Sequence, residues 1–272
     1  MELFACPVCG APLRDEGRAL RCGAGHSFDR AREGYVNLLP ANQKHSLSPG
    51  DDREMVRARS LFLERGYYAP LRDALCGICA ARCPNGGVLV DAGCGEGWYT
   101  AAISESLADA GRAAVVLGLD ISKEAVRLAA RRGGADYAVA SSRAMPLADG
   151  AADLLLNCFS PLFAEEFRRV LRPGGAFVYV VPAARHLWQL KAAVYDVPYE
   201  NAEKVEAYDG FRYDGPTRVR GEIALDNPGD IRSLFAMTPY AWKTPAEGRA
   251  RLAALTSLTT EIGFDIHCYT RV

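Results

Sequence analysis

Apolar positions along the chain follow two regimes. From residue 88 onward, short unbroken apolar runs alternate with stretches of helical period. Val88-Leu89-Val90, residues 115–119 ending at Asp120, and residues 135–140, 154–158 and 176–181 read as strands. Between them, helical stretches start at Trp98, behind Ser122 as an N-cap, and near Ala164, the last stopped by Pro173-Gly174-Gly175. Continuous apolar strands separated by helices predict an α/β fold whose parallel sheet is covered on both faces. Two final runs, residues 257–261 and 264–270 around Gly263, read as a hairpin at the sheet edge. Ahead of residue 88 there are two helical stretches, one from Arg53 to a stop at Gly66 and one from Tyr68. Residues 183–226, with tyrosines, Trp188 and mixed charges, break the rhythm and are expected to form an insertion that closes over a site. Residues 1–37 are rich in Gly, Cys and Arg without helical period, and residues 38–52 read as a polar linker. The expected organisation is a small module over 1–37, a linker over 38–52 and a large domain over 53–272.

Composition narrows the class. At 272 residues with 49% hydrophobic and 24% charged residues, the chain is neither disordered nor fibrous, and no apolar run approaches the roughly 20 residues of a membrane span. The first residues, Met-Glu-Leu-Phe-Ala-Cys, lack the features of a secretory signal, which predicts a cytoplasmic protein with no membrane partner. In a reducing compartment its nine cysteines are metal ligands or free thiols. The net charge of −1 gives no electrostatic reason to expect a nucleic-acid partner.

Cys6-Pro-Val-Cys9, then Cys22 and His26, form a C-x2-C and C-x3-H arrangement that places four soft donors around zinc. Four protein ligands leave no open position, so the metal is structural, and its binding energy stabilises a module too small to hold a core alone. His45 is a spare ligand in the linker. Cys76, Cys79 and Cys83 mimic a cluster motif, but their spacing is one face of a helix, and partly buried thiols are the plainer reading.

Asp91-Ala92-Gly93-Cys94-Gly95-Glu96-Gly97 follows a strand and opens a helix. Its G-x-G-x-G spacing differs from the dinucleotide fingerprint, which disfavours a nicotinamide oxidoreductase. Asp120, 23 residues after Gly97, stands where a carboxylate binds two ribose hydroxyls, and Asp91 suits a cationic head group. Together they look like the S-adenosylmethionine site of class I methyltransferases, a Rossmann-like fold with a mostly parallel seven-stranded sheet. The plain alternative is a glycine turn that packs helix on strand. Residues 140–142 are expected near the adenine, and Asn157, after the fourth strand, faces the methyl-transfer site.

Nearly end to end, the chain resembles the large-subunit ribosomal RNA guanine-N1 methyltransferase family. The likeness rests on the four zinc ligands, on Phe28-Asp29, on EGYVNLLP at residues 33–40, on Pro49-Gly50-Asp51, on GYYAPLR at residues 66–72, on the glycine loop, on Arg185-His186-Leu187 and on Met237-Thr238-Pro239. It implies transfer of a methyl group to N1 of a guanine in a domain II hairpin of 23S rRNA, by an enzyme that is often a homodimer. It also implies that residues 1–37 recognise RNA, and it carries cofactor contacts over to Tyr68, Gly95, Glu96 and His186. One departure is Pro161-Leu162, where some relatives have Pro-Cys, so a cysteine there is not a required catalyst. Two rival readings are a small-molecule methyltransferase with an accessory zinc module and a zinc-ribbon RNA-binding assembly factor without activity.

Guanine N1 carries a proton that must leave as the methyl arrives, which calls for a base or for acceptors that favour the deprotonated ring. Glu165 and Glu166 are the candidates near the fourth-strand loop, although an acidic first helical turn accounts for both. Phe159, Trp188 and Trp242 are candidates for stacking on an extruded base, with core packing as the alternative.

Overall fold

Val88–Ala92 is buried along its whole length, which a strand can be only at the centre of a sheet covered on both faces. The computed structural model describes residues 3–40, 50–202 and 207–272. Three antiparallel strands come first, β1 (Leu13–Asp15), β2 (Ala19–Cys22) and β3 (Ser27–Asp29), followed by the two-residue β4 (Val36–Asn37). Helices α1 (Arg53–Glu64) and α2 (Ala69–Arg82) lead into β5 (Val88–Ala92), α3 (Trp98–Asp109), β6 (Val115–Asp120), α4 (Lys123–Arg132) and β7 (Asp136–Val139). Next are β8 (Ala152–Cys158), α5 (Ala164–Val170), β9 (Leu171–Pro182) and α6 (Trp188–Val194). The chain closes with β10 (Phe211–Leu225), α7 (Pro228–Ala236), α8 (Tyr240–Lys243), α9 (Ala246–Ala253) and β11 (Leu258–Arg271).

The large sheet has the order β10-β11-β9-β8-β5-β6-β7-β4. β4 to β9 run parallel within it, and β11 lies antiparallel between β9 and β10. The expected mostly parallel, seven-stranded class I sheet is therefore present, with β4 as an eighth strand at the far edge. α1 starts at Arg53 and α4 behind Ser122 as read; Asp52, placed by the sequence in the linker, caps α1 through Met55 N at 2.8 Å.

Two expectations are corrected. The terminal hairpin is one continuous strand, β11, in which Gly263 pairs with Arg220 across the ladder. Gly263 marks a close approach rather than a turn, since a Cβ there would lie 3.0 Å from that of Ala183. The segment read as an insertion over 183–226 supplies the partner of that strand, because Phe211–Leu225 is the edge strand of the sheet. Pro216 and the irregularity at Gly215 disguise it in the sequence, and an edge position tolerates both.

The N-terminal strands are fastened to the large sheet. Phe4 bridges to Leu147, Ala5 N donates to Pro146 O at 2.8 Å, and β4 pairs with β7. Leu38 and Leu39, at the start of the expected linker, are buried, and Leu38 N donates to Val139 O at 2.9 Å. Cys6, Leu13, Leu20 and Cys22 share a hydrophobic cluster with Val36, Leu117 and Leu155. Residues 41–49, His45 among them, lie outside the described residues. Among the described residues, no helix is long and apolar enough to cross a membrane.

Candidate functional site

Cys6, Cys9, Cys22 and His26 converge so that their four donor atoms lie within 4.8 Å of one another. Each pair sits on a tight turn: Gly10 N donates to Cys6 O at 2.8 Å and Gly25 N to Cys22 O at 3.0 Å, with both glycines at positive φ. Cys9 Sγ is 3.7 Å from Cys22 Sγ, and His26 Nδ1 is 3.3 Å from Cys22 Sγ and 3.5 Å from Cys6 Sγ. Tetrahedral zinc with Zn–S of about 2.3 Å and Zn–N of about 2.0 Å requires edges of about 3.8 Å and 3.5 Å, and these three separations match them. Among the described residues this is the one His, Cys and carboxylate group that could hold a metal. Cys79 is buried and Cys76 half-buried on α2, and Cys83, the extended residue that ends the helix, is buried, all as free thiols.

The three glycines of the loop after β5 have separate tasks. A Cβ on Gly93 would sit 2.2 Å from Ser160 Oγ, and one on Gly97 would sit 2.8 Å from Ala129 Cβ and 2.9 Å from the Tyr137 hydroxyl. These two are fixed by packing against the β8 loop and α4. At Gly95 a Cβ would meet nothing within 4 Å except Arg59 Nη1 at 3.6 Å, so this glycine opens the loop toward a ligand. Gly95 N donates to Asp120 Oδ2 at 3.0 Å and Ser122 N to Asp120 Oδ1 at 2.8 Å, which sets that carboxylate at the end of β6.

Asp91 is buried; its Oδ2 accepts from Thr100 Oγ1 at 2.6 Å, while its Oδ1 is buried without a partner. Burial pushes the Asp91 carboxyl up to about 7. Burial also raises Glu96, opposed by Arg59 and Arg132, and raises Asp120, opposed by the N–H groups of Ser122 and Gly95. Three carboxyls that resist ionisation and one orphaned oxygen describe a site short of positive charge. A ligand with a sulfonium and an ammonium group meets that need, so the residues fit S-adenosylmethionine.

His186 Nδ1 accepts from Gly263 N at 3.2 Å. The Nε2 atom therefore carries the ring proton and donates to the Tyr68 hydroxyl, 3.2 Å away. Burial, reinforced by the charge of Lys191, pushes His186 down to about 3, so it stays neutral and orients Tyr68. Asn157 is buried; its Nδ2 donates to Ala92 O at 3.3 Å and Pro161 O at 3.2 Å, and its Oδ1 has no partner. Of the expected adenine-proximal residues, Ser141 forms a bridge with Ala144 and its Oγ accepts from Arg143 N.

Phe159, next after β8, has φ +55 and is 46% exposed, its ring stacked toward His186 at 6.5 Å and 5.8 Å from Phe264. Trp242 is exposed and Trp188 is half-buried beneath the Arg185 guanidinium at 4.6 Å. The structure assigns Glu166 to the scaffold: its Oε1 accepts from Met145 N at 2.6 Å and both oxygens pair with Arg169. Glu165 is exposed on the first turn of α5. Arg59, legible in the sequence only as part of the α1 pattern and not as a site residue, falls on the apolar stripe that Val56, Phe62 and Leu63 define, which is the signal of its burial.

Fold and loop together define a class I S-adenosylmethionine-dependent methyltransferase that carries a structural zinc ribbon. Residues 4–47 match the zinc-ribbon family described as "RlmA, N-terminal", and residues 90–179 match "Methyltransferase domain". A relative from Micromonospora griseorubida, whose name places it among the 23S rRNA (guanine-N(1)-)-methyltransferases, is 41% identical over 94% of this chain and 92% of its own. The 23S rRNA (guanine(748)-N(1))-methyltransferase of Streptomyces fradiae is 40% identical over 95% of this chain and 92% of its own. The chain belongs to this family of 23S rRNA guanine-N1 methyltransferases. A chain in the solved complex of the Haloferax volcanii Trm112 methyltransferase activator shares the fold, with a TM-score of 0.50 and 19% identity over 82% of this chain and 99% of that one.

Proposed function

We propose that this protein transfers a methyl group from S-adenosylmethionine to N1 of a guanine in a domain II hairpin of 23S rRNA. The observation that carries the reading is the union of the two sites on one sheet: the segment after the zinc ribbon pairs through β4 with β7, two strands from the glycine loop. A recognition module so attached holds RNA in fixed register with the cofactor loop. The two relatives, which carry the name of this activity, support the choice of substrate.

In this reading Cys6, Cys9, Cys22 and His26 hold zinc. Gly93, Gly95 and Gly97 shape the cofactor loop, Asp91 and Glu96 face its cationic end, and Asp120 accepts the ribose hydroxyls. Tyr68, Asn157 and His186 close the far side. Bound there, the cofactor supplies an electrophilic methyl on a sulfonium, and the chain contributes position and exclusion of water. His186 spends Nδ1 on Gly263 N, so it fixes Tyr68 and does not accept the N1 proton. Phe159 offers an exposed ring at the carboxyl end of β8, where an unstacked guanine would lie. Its left-handed backbone conformation, which costs an ordinary residue about 1–2 kcal/mol, is consistent with a ring held out for a ligand.

The test is nucleoside analysis of unmethylated 23S rRNA after incubation with the protein and S-adenosylmethionine. 1-Methylguanosine is expected at one residue per rRNA. Methylation of another base, or of small molecules only, would overturn the reading.

A further inference from the structure

The amino acid end of the cofactor is a zwitterion, and the loop around Gly95 is rich in the wrong charge for its carboxylate. Asp51, Glu96 and Asp120 all act electrostatically on Arg59, and Asp91 lies in the same group of acids. A carboxylate entering such a field needs a cation beside it. Arg132 is occupied behind the loop, where it binds Glu96 O at 3.0 Å and pairs with Glu64. Arg59 is placed differently: its Nη2 pairs with Asp51, while Nη1 faces the open side of Gly95. Among the described residues neither Nη1 nor Nε of Arg59 has a hydrogen-bond partner.

A second unpartnered donor lies within the electrostatic reach of Arg59 and Glu96. The Tyr99 hydroxyl, on the first turn of α3, is buried without a partner, and the surrounding groups that act on it are Cys158, Tyr68, Glu96 and Arg59. An orphaned buried hydroxyl costs about 1–3 kcal/mol unless a ligand satisfies it. Asp51 is itself anchored, because its main-chain oxygen accepts from Ser122 Oγ at 3.0 Å. The Asp51 carboxylate thus holds Arg59 over the loop from the end of β6.

We propose that Arg59, steadied by Asp51, binds the α-carboxylate of the methionine moiety, with the Tyr99 hydroxyl as a second donor. The assignment rests on the cofactor being held at the glycine loop. With Nη2 committed to Asp51, Nη1 offers a charge-assisted donor to a carboxylate beside Gly95, so this subsite selects an intact amino acid end over a plain amine.

Calorimetric titration with S-adenosylmethionine and with its decarboxylated form, which keeps sulfonium, amine and adenosine, tests the assignment. The wild-type protein is expected to bind the intact cofactor at least tenfold more tightly. Arg59→Met should weaken S-adenosylmethionine binding at least tenfold and leave the decarboxylated form within about twofold, and Tyr99→Phe should show the same selectivity with a smaller loss. Asp51→Asn/Arg59→Met removes both partners of the ion pair, and this double variant must repeat the selective loss if the single variant folds poorly. Equal weakening of both ligands by Arg59→Met, or no weakening of either, would overturn the carboxylate role. If the wild-type protein binds neither ligand, the placement of the cofactor at the loop falls with it.

Discussion

Protonation of Asp91 gives a quantitative test of how the glycine loop meets its cofactor. Burial lifts this carboxyl from 3.8 to about 7, which corresponds to about 4 kcal/mol against the ionised form at 1.36 kcal/mol per pKa unit. The native value lies above the unfolded one, so the favourable contribution is complete below about pH 4 and is lost as pH rises through 7. A cationic head group beside the unpartnered Oδ1 reverses the preference, because it binds the carboxylate form. In the free protein roughly one Asp91 in ten is ionised at pH 6.0 and roughly three in four at pH 7.5. Affinity for S-adenosylmethionine should therefore rise about eightfold over that interval, with about 0.9 proton released per cofactor at pH 6.0. Calorimetry in buffers of different ionisation enthalpy measures both quantities. Asp91→Asn should flatten the profile and abolish the proton release, and should make the ligand-free protein melt higher at pH 7.5 than the wild type. A wild-type affinity that stays level from pH 6.0 to 7.5 without proton release would refute the reasoning.

Three further outcomes follow from packing. Gly95→Ala should lower stability by only about 1–2 kcal/mol, the cost of a left-handed alanine, yet weaken cofactor binding at least tenfold, whereas Gly97→Ala should lower the melting temperature more, because its methyl meets Ala129 and Tyr137. Glu166→Gln should destabilise the fold by about 1–3 kcal/mol, read by denaturant unfolding, and leave cofactor affinity unchanged, since its partners are Met145 and Arg169. Zinc removal by a chelator should release one ion per chain and abolish amide protection in β1–β3, while cofactor affinity stays within about threefold, as expected of a closed structural site.

The legible part of the fold was the part governed by local rules. Unbroken apolar runs identified β5, β6, β8 and β9, and Ser122 and Asp120 stood where the strand–helix alternation put them. The edge was not legible, because β10 carries Pro216, Gly215 and alternating charges that a central strand would exclude. Gly263 misled for a related reason, since a glycine that leaves room for the side chains of Ala183 and Arg220 looks in sequence like one that turns the chain. In the site, the zinc donors and the glycine loop were readable because their spacing is the chemistry. The pairing of His186 with Tyr68, 118 residues apart, and the seating of Arg59 against Asp51 depend on tertiary packing that no local pattern encodes. Glu166, for which the sequence already offered a structural reading beside that of a base, is committed to holding residue 145 against α5.

A zinc ribbon and a methyltransferase loop, joined on one sheet, are expected to methylate the pairing edge of one guanine in 23S rRNA. Primer extension measures this directly, because a methyl on N1 blocks base pairing and halts reverse transcriptase. Unmethylated 23S rRNA incubated with the protein and S-adenosylmethionine should give one new stop, immediately 3′ to a guanine in a domain II hairpin, absent when the cofactor is omitted. Full-length extension through domain II with an active, zinc-loaded, cofactor-binding protein would contradict the account.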